Sequence, residues 1–145
     1  MRVLVDTNIL LRRAQPSHEH YRSAINSVGL LLLGGAHLFY TPQNMAEFWC
    51  VATLPVANNG LGFTITQVSA EMAKLEGILA LAPDSAALYP EWKRMVIAHN
   101  VRGVQVHDTR LVASMNVNRI ERLLTFNTAD FLRSGIDVLH PLDVK

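Results

Sequence analysis

The chain has 145 residues, half of them apolar and 17% charged, a balance far from that of disordered chains and sufficient for one domain, residues 1–145, with a real core. Thirteen Lys and Arg against twelve Asp and Glu leave a net charge of +1, which excludes nucleic-acid binding by overall charge and confines any polyanion contact to a local patch. A single cysteine excludes an internal disulfide and a cysteine-built zinc site, and suits a reducing compartment such as the cytoplasm.

Val3 to Val5 separate Arg2 from Asp6, an apolar run too short for a signal peptide. Ser23–Ala46 and Phe48–Ala70 carry no formal charge, yet polar residues interrupt both before the roughly 18 apolar residues a membrane span requires. Arg2–Asp6, His37–Thr41 and Arg122–Phe126 read as short buried strands, with a last one over Ile136–Leu139. Helical periodicity lies between them: Tyr21, Ala24, Ile25, Val28, Leu31 and Leu32 share a stripe, as do Val68, Met72, Leu75 and Leu79, and then Trp92, Met95 and Val96. Thr41-Pro42 predicts a capped helix through about Leu54, and Tyr89-Pro90-Glu91 and His107-Asp108-Thr109 predict two further helix starts. Pro55–Thr64, with two asparagines and two glycines, reads as a surface loop. Strand and helix in alternation predict an α/β three-layer sandwich around a mostly parallel sheet of four to five strands.

Ligands of such sheets bind beyond the carboxyl ends of the strands. Asp6 ends the first strand, Glu47 lies in the helix after the second, Asp108 opens a later helix, and Asn127 and Asp130 follow the Leu123–Thr125 strand. Carboxylates gathered in one pocket repel one another and persist chiefly where a hard divalent cation neutralises them, so Mg²⁺ or Mn²⁺ is the expected occupant. Mg²⁺ leaves positions for a phosphate oxygen and a water, which points to phosphodiester hydrolysis. Thr7 and Asn8 add a hydroxyl and a carboxamide beside Asp6. Taken singly each acid has a plainer reading: Asp6 and Asp108 as helix caps, Glu47 as an exposed helix residue, Asp130 as a solvated one.

Val3-Leu-Val-Asp6-Thr7-Asn8, Glu47 within Pro42-Gln-Asn-Met-Ala-Glu-Phe48, Asp108 before an alanine-containing helix, and Leu124-Thr-Phe-Asn-Thr-Ala-Asp-Phe131 together resemble the PIN domain, in order and spacing over almost the whole chain. At this size the sequence is similar to the VapC-type toxins of toxin-antitoxin pairs, which are Mg²⁺- or Mn²⁺-dependent endoribonucleases. The resemblance implies a PIN-like fold, an RNA substrate, a cognate antitoxin, a homodimer, and Asp6, Glu47 and Asp108 as the metal-binding and catalytic acids. Thr7, Asn8, Thr125, Asn127 and Asp130 are then accessory. Where many members carry a fourth acid this chain has Asn127, an oxygen donor without charge, which is expected to weaken metal affinity and leaves open whether one ion or two are held.

Arg12, Arg13 and Arg110 are the candidate RNA contacts, since a guanidinium fork suits phosphate. The stripe of Tyr21–Leu33 and the segment Val56–Phe63 are candidates for the dimer contact. His18 and His20, two apart, would diverge on a helix and make a poor metal pair, and Cys50 reads as a packed thiol without a basic partner. Trp49 and Trp92 read as core. Gly34-Gly35 and Gly60-Leu-Gly62 lack the spacing and lysine of a phosphate loop. Two rival readings stay open: an Asp-based phosphatase or receiver-like protein, which the missing late lysine disfavours, and a catalytically weak protein- or RNA-interaction module, which Asn127 keeps alive.

Overall fold

The structure, a computed structural model describing all 145 residues, holds five parallel strands in the order β3-β2-β1-β4-β5. These are β1 (Arg2–Val5), β2 (His37–Tyr40), β3 (Ala80–Leu81), β4 (Arg122–Leu124) and β5 (Asp137–Leu139). Six helices connect them: α1 (Thr7–Arg13), α2 (Tyr21–Leu33), α3 (Pro42–Thr53), α4 (Ile65–Ile78), α5 (Leu88–Ala98) and α6 (Gln105–Val117). This is the PIN-like three-layer sandwich expected from the sequence.

Strand β1 is central because it can be buried on both faces. Val3 and Val5 pack with Ile9, Val28, Phe48 and Val68 in one layer, whereas Leu4 points to the other, among Leu111, Val112, Met115 and Leu123. All three strand residues are inaccessible. Registers Val3↔Leu38 and Leu4↔Leu123 bind β1 to both neighbours, and the Asp6 amide continues the ladder to Leu124 O at 3.0 Å. Beyond β1 the sheet is wound in two directions, so the crevice at the carboxyl end of β1 is its switch point.

Several boundaries differ from the sequence reading. Strand β3 falls at the end of the helical stripe; it is two exposed residues long, too short to show a period, and exists through pairing with Phe39 and Tyr40. Helix α6 starts at Gln105, two residues early, capped by Val104 without a side-chain bond, so Asp108 lies in the first turn and does not cap it. Helix α5 starts at Leu88, with Pro90 inside its first turn. Cys50 is exposed on α3 and not packed. Leu32, assigned to the buried stripe of α2, is 39% exposed. Trp49 and Trp92 are only partly buried against the core, and Trp92 Nε1 donates to Val106 O at 2.9 Å, which keeps its polar edge near the surface.

The loop after α3 is tied down: Leu61 N, Gly62 N and Phe63 N bond back to Val51, Leu54 and Ala52 carbonyls. Gly60 is required there, since a Cβ would stand 2.1 Å from Leu54 O. No helix is long and apolar enough to cross a membrane.

Candidate active site

Asp6 follows β1 directly and is also the N-cap of α1. Its Oδ1 accepts from Thr7 N at 2.8 Å, while Oδ2 accepts from Thr125 Oγ1 at 2.8 Å and, at 3.5 Å, from Asn8 Nδ2. The capping reading therefore holds, and it uses one carboxylate oxygen; the other faces the end of β4. Asn8 reinforces this junction, donating to Thr125 Oγ1 at 3.0 Å and accepting from Phe126 N at 3.2 Å. The Asn127 amide donates to Thr125 Oγ1 at 3.0 Å, and the Asn127 side chain lies in an exposed position just beyond.

Glu47 is brought to this point by a polar seam through the core. Thr41 and Asn44 form a reciprocal capping box at the start of α3, with Pro42 at the first helical position. Asn44 is inaccessible, and its Nδ2 donates to Thr7 Oγ1 at 3.1 Å; Thr7 Oγ1 in turn donates to Glu47 Oε2 at 2.9 Å. One turn before Glu47, Gln43 Nε2 donates to Glu47 Oε1 at 2.8 Å and to His107 O at 2.9 Å. Gln43 Oε1 accepts from Arg110 Nη1 at 2.7 Å, and Arg110 Nη2 also pairs with Asp84 at 3.1 Å. Glu47 is thus half-buried with both oxygens engaged, where the sequence alone allowed plain exposure.

The acids feel one another. Burial is the main cause of the Asp6 carboxyl being pushed up to about 6, and the negative charges of Glu47 and Asp108 add to it against the bonds from Thr125 and Thr7. Asp108, half-buried in the first turn of α6, is also raised, first by burial, then by Asp130 and Glu47. Asp130 itself is exposed on a 3-10 turn, Thr128–Phe131. No three of the Asp, Glu, His and Cys side chains are gathered closely enough to form a metal cage by themselves. What the site offers is a mutually repelling set of carboxylates with Asp6 held rigid, a donor set chemically suited to a hard cation that retains part of its water shell.

Of the candidate RNA contacts, Arg110 is taken up by Gln43 and Asp84, Arg12 Nη1 donates to Gln15 Oε1 at 2.8 Å, and Arg13 is half-buried beside Glu71 and Tyr21. Burial lowers the Arg13 pKa, with Glu71 opposing it. His18 and His20 lie in a turn, not a helix, so their rings approach to 5.4 Å, and His20 stacks on Phe126 at 4.9 Å. Sequence reasoning missed Gln43 and Asn44. For Asn44 a signal existed, because it stands three residues after a capping threonine; a solvent-side glutamine such as Gln43 carries no pattern.

No family model matches the sequence, and no curated protein does. Solved structures match its fold. A chain of VapBC2 from Rickettsia felis, bound to a DNA fragment from their promoter, superposes with a TM-score of 0.72 at 14% identity, covering 97% of this chain and 98% of its own. VapC20 from Mycobacterium tuberculosis, a sarcin-ricin loop cleaving toxin, gives 0.68 at 17% identity, covering 92% and 95%. FitAcB from Neisseria gonorrhoeae gives 0.64 at 16% identity, covering 97% and 99%. The fold of these chains is therefore the fold of this chain over nearly its whole length.

Proposed function

We propose that the protein is a metal-dependent endoribonuclease and the toxin of a type II toxin-antitoxin pair. The observation that carries this reading is geometric: Asp6 is buried at the switch point of the sheet with both carboxylate oxygens held, by Thr7 N and Thr125 Oγ1, and the Thr7 hydroxyl ties Glu47 to the same point, with Asp108 near enough for its charge to be felt. Carboxylates brought together at a cost to their ionisation point to a positively charged guest. Asp6, Glu47 and Asp108 would hold Mg²⁺ or Mn²⁺, directly or through water. Held by these residues, such a cation would supply Lewis-acid polarisation of a phosphate oxygen and a lowered pKa for a bound water.

The chain's own residues supply orientation. Thr7 N and Thr125 Oγ1 fix both Asp6 oxygens, each of which keeps a further lone pair for a ligand. Thr7 Oγ1 and Gln43 Nε2 hold Glu47, and Arg110 anchors Gln43. Asn8 and Asn127 secure Thr125 in turn. None of these side chains need act as a nucleophile.

The partners proposed are RNA as substrate, a cognate antitoxin, and a second copy of the chain, in the cytoplasm. Support for the antitoxin comes from the similar structures, which are named for pairs: VapBC2, VapBC-1 and FitAB. The test is incubation of the purified protein with total cellular RNA, with Mn²⁺ and with chelator, followed by mapping of the cut ends. Discrete cuts that vanish with chelator support the reading. Intact RNA, with a melting temperature indifferent to Mn²⁺, would favour an interaction module instead, and a phosphorylated Asp6 would favour the phosphatase-like alternative.

A further inference from the structure

Two of the acids, Asp108 and Asp130, also belong to a larger feature. Between the end of α5, the first turns of α6 and the segment 129–134 lies a cavity of about 410 Å³, with Asp108 and Asp130 among its lining residues. Met95, Val112 and Phe131 border it but are core residues almost closed to solvent, so its accessible apolar lining comes from Val101, Ala129 and above all Leu132, 77% exposed. Asn100, Gln105 and Thr109 contribute polar lining. A mostly polar concavity with amides, a hydroxyl and one large exposed leucine in its lining has the character of a small-molecule pocket, and the volume lies in the ordinary range for one.

We propose that this cavity receives an unpaired nucleobase of the strand whose phosphate lies at the acids. The choice of ligand class rests on the nuclease reading above, and the chemistry of the lining narrows it further. A phosphate is a poor guest next to Asp108 and Asp130, because like charges repel and the lining residue Arg133 is a single cation against two carboxylates. A neutral base has no such penalty. Its π face suits the accessible apolar surface of Leu132 and Ala129, while Asn100 and Gln105 each offer a donor and an acceptor of the kind that reads a base edge. A single-stranded segment is implied, since a base in a duplex cannot leave its stack to enter without paying for unpairing. The cavity thereby acts as a specificity pocket that shares Asp108 with the cutting site.

The experiment titrates the isotope-labelled full chain, without metal and at about 0.5 M salt so that repulsion between the acids and the phosphate is screened, with each of the four nucleoside 5′-monophosphates and with ribose 5-phosphate, following backbone amide shifts. The expected result is that at least one nucleotide shifts amides in 99–101, 105–112 and 129–134, while ribose 5-phosphate leaves them in place. Ala129 is exposed at the cavity lining, so Ala129→Trp fills it from outside the core, and Gln105→Ala removes a polar contact at an exposed helical position; each weakens nucleotide binding by roughly tenfold. The proposal is overturned if ribose 5-phosphate produces the same shifts, if no nucleotide shifts these amides at millimolar concentration, or if both variants, folded by melting temperature, bind as the parent does. Nucleotide binding alongside uncut RNA would retain the pocket and reject the nuclease. Cut RNA without these shifts would do the reverse.

Discussion

Thr7 and Glu47, forty residues apart, are joined by a 2.9 Å hydrogen bond from hydroxyl to carboxylate. Through it the first residue of α1 and the middle of α3 become one unit, with buried Asn44 donating to the same hydroxyl. Thr7→Val keeps the shape and removes the hydroxyl, leaving the Asn44 amide unsatisfied in the core. A loss of about 1–3 kcal/mol in urea unfolding is expected, together with weaker metal-dependent cleavage, whereas Thr7→Ser retains both. Equal stability of Thr7→Val and the parent would remove this bond from the account.

Asp6→Asn separates stability from activity. The folded-state carboxyl is raised to about 6 from 3.8, so the penalty for ionising it is absent below about pH 4, grows as pH rises, and is complete above about pH 6, where it reaches about 3 kcal/mol. Asparagine keeps an oxygen for the helix cap and carries no charge. Its amide nitrogen, however, faces Thr125 Oγ1, which donates to Asp6 and already accepts from Asn8 Nδ2 and Asn127 N, so the expected signature is relative: the variant gains stability against the parent as pH rises from about 4 to about 7.5. Its RNA cleavage should disappear, and Mn²⁺ should raise the melting temperature of the parent alone. Paired thermal melts at the two pH values, with and without Mn²⁺, decide the matter.

Gln43→Ala tests positioning. This amide links Glu47 to the His107 carbonyl and to Arg110, so it sets α3 against α6 beside Asp108. Its loss should lower kcat by about ten- to a hundredfold with KM for RNA little changed, and raise the Mn²⁺ concentration needed for half-maximal rate. An effect confined to KM would reassign Gln43 to substrate contact.

Asn127→Asp restores a fourth negative charge at an exposed position next to Thr125, whose hydroxyl already bonds Asp6. Half-maximal Mn²⁺ should fall on the order of tenfold. Isothermal titration of the two proteins measures it, and an unchanged or weaker affinity would mean that residue 127 does not face the bound ion.

Much of this was legible in the chain because local rules and the fold agree. Val3 to Val5 before Asp6 is a fully buried strand running into a helix cap, and Thr41-Pro42 starts α3 by the same chemistry that the sequence suggests. What stayed hidden depends on partners distant in the chain. Strand β3 is created by β2, α6 begins without a capping side chain, and Gln43 matters only because α6 lies across from it. Glu47 and Asp108 were nameable from sequence; that a threonine and a glutamine hold Glu47, and that burial and not Glu47 dominates the Asp6 shift, needed coordinates.

The central position of β1 has a mechanical consequence. Asp6 is hinged to a strand clamped from both sides, so it cannot yield without unzipping the middle of the sheet. Asp108 rides on the opening turn of a helix and Asp130 on a surface bend, anchorages that give way far more cheaply. Accommodation of guests of different size would thus fall to one jaw of the crevice, with Asp6 serving as its stationary anvil.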